Sequence, residues 1–277
     1  MTVPFQLTIN SSTLRPYNLA IDDQLRVASD AGFAGIEIWV RDLQAWMAAG
    51  KTAGSLHSLA DELGIQIVNG IAFFRWTDAD AGTRRTGLEQ AAHEIASLLE
   101  TGCRAVAAPP TGTVQGLSLE QIARNFEQLL RIARPLGAEP ILEFWGRSPV
   151  LHAVRQAAEV LDHVSTDGPR PAMLLDLYHM YTGGSPLEEV EALNGEQIGL
   201  VHINDYPADP PRERITDADR VMPGEGIGPV TEFLRLLERK GFDGPVSIEL
   251  FRESYGHETA LETAVAAREA VERCWAG

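Results

Sequence analysis

Only two cysteines, Cys103 and Cys274, occur in 277 residues. So few thiols build no disulfide framework, and they read as buried side chains in a reducing compartment, the cytoplasm. Long apolar runs are missing too: none approaches the ~18 residues of a membrane-spanning helix. The start, Met1-Thr-Val-Pro, has neither the basic n-region nor the apolar h-region of a signal peptide. Positive charge is scarce, with 23 Lys and Arg against 39 Asp and Glu and a formal net charge of −16. Nucleic acid needs a basic footprint to displace counterions, so it is excluded as a partner. The same balance argues, more weakly, against a substrate held only by its phosphate. No Gly-x-Gly-x-x-Gly turn follows the first strand-like run, which removes the dinucleotide signature and with it a nucleotide cofactor. What remains is a chain of ordinary globular composition, 44% hydrophobic and 22% charged, without a linker or composition break. It reads as one domain over residues 1–277.

A repeated punctuation sets the architecture. Helix-like segments end on Gly32, Gly64, Gly102, Gly137 and Gly241, and a β-rich run begins within a few residues of each. Glycine suits the left-handed position that closes a helix before a short loop. Helix starts of capping-box form stand at Thr86-x-x-Glu89, Ser118-x-x-Gln121 and Ser185-Pro-x-Glu188, the last with proline at the first helical position. Strands are expected near 5–9, 35–39, 65–69, 104–108, 140–144, 172–176, 198–203 and 245–250. Helices are expected near 18–31, 53–63, 86–101, 118–136, 149–163, 186–193, 229–240 and 257–275. Eight even alternations predict an α/β fold, a single (β/α)8 TIM barrel, over a doubly wound open sheet. Two connections exceed simple turns, the stretch from Gly70 to about residue 86 and residues 204–228. Both follow strands, so both belong to the face where barrel active sites lie, as walls or lids.

Four of the strand-like runs end on a metal-ligand type of residue: Pro140-Ile-Leu-Glu143, Ala172-Met-Leu-Leu-Asp176, Gly199-Leu-Val-His202 and Val246-Ser-Ile-Glu249. An unpaired charge at the edge of a dry core is costly, so each is a misfit singly. Strands 5 to 8 are neighbours, about 5 Å apart at the backbone, and the four side chains can converge on one cation. Three carboxylates and an imidazole suit Mn2+ first, and also Zn2+, Co2+ or Mg2+; the absence of thiolate argues against structural zinc. A hydroxy-ketone bound through adjacent oxygens would be polarised there and its C–H acidified, giving an enediolate. Glu143 and Glu249, at the two ends of the set, are the natural acid/base pair. Three residues after Asp176, His179 is placed to donate a hydrogen bond to a substrate oxygen.

These residues resemble the metal-dependent sugar isomerase/epimerase superfamily with the xylose-isomerase-like barrel, over nearly the whole chain. Its motifs stand here as Leu142-Glu143-Phe-Trp-Gly146, Leu175-Asp176-x-x-His179, Val201-His202-Ile-Asn-Asp205 and Ser247-Ile-Glu249-Leu-Phe-Arg252. The segment Thr216-Asp-Ala-Asp-Arg-Val-Met-Pro-Gly-Glu-Gly226, the Glu-Leu-Phe-Arg ending and the Asn69-Gly-Ile-Ala-Phe-Phe74 run look closest to its inosose isomerase branch, which shifts the ketone of 2-keto-myo-inositol. The resemblance implies Glu143, Asp176, His202 and Glu249 as ligands of one divalent ion, and Glu143 and Glu249 as acid and base. It implies substrate-side or supporting roles for His179, Asp205, Arg220 and Arg252; Asn69 and Trp145 are further substrate-binding candidates, and Glu37, at the end of strand 2, is a candidate either to contact substrate or to support a ligand. The barrel is also similar to that of apurinic-site endonucleases, but Val221 stands where a further ligand histidine belongs. Ketose 3-epimerases usually carry an arginine soon after the strand-7 histidine; here the stretch reads Tyr206-Pro-Ala-Asp209.

The expected activity is therefore isomerisation or epimerisation of an unphosphorylated keto-sugar or keto-inositol, such as an inosose. A lyase or dehydratase using the same metal site and a non-catalytic sugar-binding protein are the alternatives, and a homo-oligomer stays open. Phe73, Phe74, Trp76 and Trp145 are candidates for an apolar wall over a sugar face, and Arg212 for a substrate contact. Gly224, Gly226 and Gly228 resemble a phosphate-cradling loop only weakly, and a series of turns is the favoured reading. His57 and His93 fall in helices with no partner pattern and read as surface or packing residues.

Overall fold

Helices end where the sequence places glycine. Gly64 and Gly137 sit at φ 64° and 99°, closing the helices Ala53–Leu63 and Leu119–Leu136, and their N–H groups return to carbonyls of the last turn. Gly32, Gly102 and Gly241 also take positive φ. The computed structural model describes residues 3–165 and 168–277, so the reading of the extreme N-terminus, on Met1 and Thr2, lies outside the described residues.

Eight strands follow: β1 (Gln6–Asn10), β2 (Gly35–Trp39), β3 (Gln66–Ile71), β4 (Ala105–Ala108), β5 (Glu139–Glu143), β6 (Met173–Asp176), β7 (Ile198–Ile203) and β8 (Pro245–Ile248). All pair in parallel in chain order, and β1 pairs with both β2 and β8, closing the barrel. The expected single (β/α)8 barrel is the fold observed. Its helices are α1 (Ile21–Asp30), α2 (Val40–Ala48), α3 (Ala53–Leu63), α4 (Ala81–Leu99), α5 (Leu119–Leu136), α6 (Val154–His163), α7 (Leu177–Gly183), α8 (Leu187–Glu191), α9 (Val230–Arg239) and α10 (Ala260–Ala276). No helix among the described residues is long and apolar enough to cross a membrane.

Several boundaries differ from the sequence expectation. The segment Ser11–Tyr17 forms a 3-10 turn directly after β1, and α2 and α7 are additional short helices. The box at Ser118 forms in both directions, through Gln121. The one expected at Thr86 does not, because α4 is capped six residues earlier by Asp80, whose carboxylate accepts from Thr83 N at 2.8 Å. Ser185 caps no helix of its own; its Oγ accepts from Val154 N, tying α6 to the turn before α8.

Strand alternation divides the core in two. Ile141, Leu174 and Leu200 point into the barrel with Ile71 and Ala107, forming a small apolar plug that also includes Trp39. The opposite faces of the strands pack against the helices in the main core. Burying each such leucine or isoleucine contributes about 1.5–3 kcal/mol. Two residues above Ile141, Leu174 and Leu200 on the same inward face stand Glu143, Asp176 and His202, so the plug is the floor on which the polar groups rest.

The long connections are anchored walls. In the first, Trp76 is fully buried, its Nε1 donating to Pro109 O at 2.7 Å and its ring lying on Phe126. Asp78 accepts from Thr113 N and Asp80 N, both at 2.9 Å, and from Arg75 Nη2 at 2.6 Å, locking the loops after β3 and β4 together. In the second, an antiparallel bridge joins Asp205 to Val221.

Candidate metal centre

Register brings the polar strand ends side by side: Asn10 pairs with Glu37, Glu37 with Asn69, and Asp176 with His202. Glu249 follows β8 directly and shares the inward face with Ser247. Asp176, His202 and Glu249 each present one ligand atom within 4.8 Å of the other two, and all three are buried.

The imidazole of His202 is oriented from behind. Its Nε2 lies 3.0 and 3.1 Å from the two oxygens of Glu37, which is itself fully buried and takes Asn69 Nδ2 at 2.8 Å. An Nε2–H donated to Glu37 leaves the lone pair on Nδ1. That atom is buried and makes no hydrogen bond among the described residues. It faces Glu249 Oε2 at 3.1 Å and Asp176 Oδ2 at 3.6 Å. A carboxylate behind a histidine whose other nitrogen is free is the usual support of a metal-bound imidazole. Although burial alone would lower it, the His202 pKa is held well above the ordinary value by the carboxylates of Glu249 and Glu37. A proton here does what a cation would do, and metal binding exchanges one for the other. The residues therefore fit a divalent ion.

The other carboxylate oxygens are anchored separately. Asp176 Oδ1 caps α7, accepting from Tyr178 N at 2.8 Å and His179 N at 3.2 Å, and also takes Asn204 Nδ2 at 3.0 Å. Glu249 Oε1 accepts from Asn10 Nδ2 at 3.0 Å. Arg220, 1% exposed, reaches Asp176 Oδ2 and Glu249 Oε2 with Nη1, each at 2.8 Å. Burial opposes ionisation of Asp176, but Arg220 and His179 hold its carboxyl well below the usual range.

Glu143 stands outside the close group but lines the same cavity, about 300 Å3 in volume, with His179, His202, Arg220 and Glu249. Burial pushes its carboxyl up to about 8, with His202 opposing, and Trp145 Nε1 donates to its Oε1 at 3.1 Å. His179 is buried and lowered to about 4 by that burial, so its ring is neutral at pH 7; its Nδ1 makes no hydrogen bond among the described residues. Above these groups Phe251, Trp39, Phe73 and Trp145 follow one another with centroids 5.1–6.4 Å apart.

Of the sequence candidates, Glu143, His179, Arg220 and Trp145 line this cavity with His202 and Glu249, and Asp176 lies directly behind. The structure places the other candidates elsewhere. Arg252 is exposed and lines a separate cavity with Ser254 and Arg273. Asn69 supports Glu37 and is not among the residues lining the cavity. Asp205 turns into its own loop, where its carboxylate accepts from Tyr206, Gly224, Gly226 and Gly228 N–H groups at 2.7–3.0 Å. The glycine series is thus filled by a side-chain carboxylate rather than a phosphate, and at Gly226 a Cβ would collide with Asp205 and Tyr206. Phe74 and Trp76 are core residues, whereas Phe73 and Trp145 do face the cavity. Glu37 reaches the site only through His202. Arg212, His57 and His93 are exposed.

Sequence reasoning passed over Asn10, Asn204, Trp39, Phe251 and Asp217. Asn10 carries the same signal as the ligands, a polar residue closing an apolar strand, but on β1, which meets β8 only when the barrel closes. Asn204 stands inside the Val201–Asp205 motif. Asp217, whose carboxylate holds Arg220 Nη2 at 2.6 Å, stands inside the Thr216–Gly226 segment.

Comparison with known proteins agrees with the fold. Residues 25–274 match the family described as xylose isomerase-like TIM barrel. An inosose isomerase of Bacillus velezensis is 31% identical over 214 residues, 74% of this chain and 73% of that protein. The Bacillus subtilis inosose isomerase is 32% identical over 70% of each chain. A fructoselysine 3-epimerase of Escherichia coli O157:H7 is 26% identical over 92% of each. Among solved structures, the IOLI protein with a binding zinc atom superposes with a TM-score of 0.88 at 26% identity, over 98% of both chains. On the closed eight-stranded barrel and a family match spanning nearly its whole length, the chain belongs to the xylose isomerase-like TIM barrel family.

Proposed function

We propose that this protein is a divalent-metal-dependent isomerase or epimerase of an unphosphorylated keto-sugar or keto-inositol, with an inosose as the leading substrate. The observation that carries the reading is the buried, unbonded Nδ1 of His202, aimed at two carboxylates beside a 300 Å3 cavity that a third carboxylate lines. The inosose isomerase and fructoselysine 3-epimerase relatives support sugar isomerisation as the reaction class.

Asp176, His202 and Glu249 would hold the ion, with Glu143 as a further oxygen donor from the cavity wall. The oxygen-rich set favours Mn2+ and accepts Zn2+, the ion in the IOLI structure. When bound, the ion supplies Lewis-acid polarisation of a substrate carbonyl and so acidifies the neighbouring C–H. The protein moves the protons. Glu143 carries a carboxyl whose pKa, pushed up to about 8 by burial, lets it hold or release a proton near neutrality. Glu249 is the second carboxylate, kept in place by Asn10. One, as carboxylate, takes the proton next to the carbonyl, leaving an enediolate, and the other, already protonated, delivers its own proton to a different face or carbon. Neutral His179 is positioned to hydrogen-bond a substrate oxygen, and the rings of Phe73 and Trp145 cover an apolar sugar face while closing the site to water.

Incubation with keto-inositols and ketohexoses, in the presence of Mn2+, Co2+ or Zn2+, tests the reaction class. The expected product has the mass of the substrate and, in D2O, one deuterium next to the carbonyl. Loss of water or of an aglycone in place of isomerisation would assign a lyase instead, and binding without any exchange would leave a sugar-binding protein.

A further inference from the structure

Arg220 donates through one nitrogen to the two carboxylate oxygens that also face the free Nδ1 of His202. Nη1 lies 2.8 Å from Asp176 Oδ2 and 2.8 Å from Glu249 Oε2. Neither carboxylate depends on Arg220 for its orientation. Asp176 is fixed through Oδ1 by two α7 amides and Asn204, and Glu249 is fixed through Oε1 by Asn10. With the far oxygens anchored, what Arg220 adds at the near ones is positive charge. The guanidinium is itself held from behind, with Nη2 and Nε donating to Asp217 Oδ1 at 2.6 and 3.2 Å and its carbon 4.4 Å from the centre of the Tyr178 ring. At 1% exposure it cannot swing into solvent without moving the loop that carries it.

We propose that Arg220 is a resident counter-cation of the metal pair. It balances Asp176 and Glu249 when no metal is bound, and a divalent ion must share the same two oxygens with it. Like charges on shared oxygens repel, strongly so in a buried site. Arg220 therefore stabilises the metal-free fold and weakens metal binding, making the ion exchangeable. This rests on the metal reading above.

The test uses the full chain, stripped with EDTA and titrated with Zn2+ and with Mn2+ by calorimetry, with Tm measured before and after loading. Arg220→Met removes charge and donors; Arg220→Gln removes the charge but keeps an N–H for the carboxylates, and serves if the methionine variant does not fold. Both neutral variants should lower the metal-free Tm, bind each ion at least about tenfold more tightly than the wild type, and gain more Tm on loading. Arg220→Lys, which restores the charge, should return the affinity to within about threefold of wild type. Wild-type or weaker affinity in the neutral variants, with the wild type itself binding metal, overturns the proposal. A wild type that takes up neither ion overturns the metal reading on which it rests.

Discussion

Glu37→Gln perturbs the site at one remove from any ligand. Glu37 is fully buried, 3.0 Å from His202 Nε2, and it also receives Asn69 Nδ2 at 2.8 Å. Glutamine keeps the shape and can present one carbonyl oxygen, but it loses the anion that favours an Nε2–H and a free Nδ1. A hydrogen bond to a charged group is worth about 1.5–3 kcal/mol. Support of this kind behind a metal-bound imidazole changes metal affinity by about 10–100-fold. The two figures agree, since tenfold in affinity is about 1.4 kcal/mol. Calorimetric titration of metal-free Glu37→Gln should therefore give a Kd for Zn2+ or Mn2+ raised by one to two decades, with one site still filled. Glu37→Ala should do worse, because it strands two buried donors, His202 Nε2 and Asn69 Nδ2, at about 1–3 kcal/mol each in fold stability. Unchanged metal affinity in the glutamine variant would refute the assignment of His202 Nδ1 as the ligand atom.

Other substitutions probe different parts of the account. Glu143→Gln should reduce proton exchange by about 10²–10⁴-fold while costing less metal affinity than Asp176→Asn, since Glu143 lies outside the close ligand group; paired exchange and calorimetry measurements separate the two effects. Burial works against ionisation of Asp78, but the amides of Thr113 and Asp80 and the guanidinium of Arg75 outweigh it and hold the carboxyl low. A depressed carboxyl contributes stability that is full above its unfolded pKa and lost as pH falls through its folded one. Asp78→Asn should thus cost about 1–2 kcal/mol at pH 7, and the gap to wild type should narrow below about pH 4 in urea melts; a gap that persists into acid contradicts this. Cys103 is 1% exposed and burial pushes its thiol to about 12, so native protein should expose at most Cys274 to a thiol reagent. Labelling of Cys103 before unfolding would show that the β4 end of the barrel opens.

The barrel and the heart of the site were legible for a common reason. Closing glycines and apolar runs are local signals, and a charged residue ending an apolar run is visible without knowing what it faces. Hence Asp176, His202 and Glu249 were found, and register then brought them together. The misses share the opposite cause. Asp205 and Arg252 sit in motifs as conspicuous as those of the ligands, yet the fold-back of the loop after β7 gives Asp205 to glycine amides, and Arg252, beyond β8, is exposed. Nothing within ten residues of either position states that. Likewise α7 was hidden because its N-cap is Asp176, one side chain serving both helix and site. Asn10 on β1 meets Glu249 because β1 closes the barrel against β8, and Glu37 on β2 reaches His202 on β7 across its interior, relations that sequence distance conceals.

The central claim is that a divalent ion held by Asp176, His202 and Glu249 enables proton exchange next to a substrate carbonyl. Its most direct test is deuterium incorporation from D2O into an inosose, followed by NMR on EDTA-stripped protein, on the same protein after one equivalent of Mn2+, and on His202→Ala under both conditions. Exchange should be absent in the stripped protein, return with the added ion, and stay absent in the variant. Undiminished exchange in the stripped protein, or in His202→Ala, would contradict it.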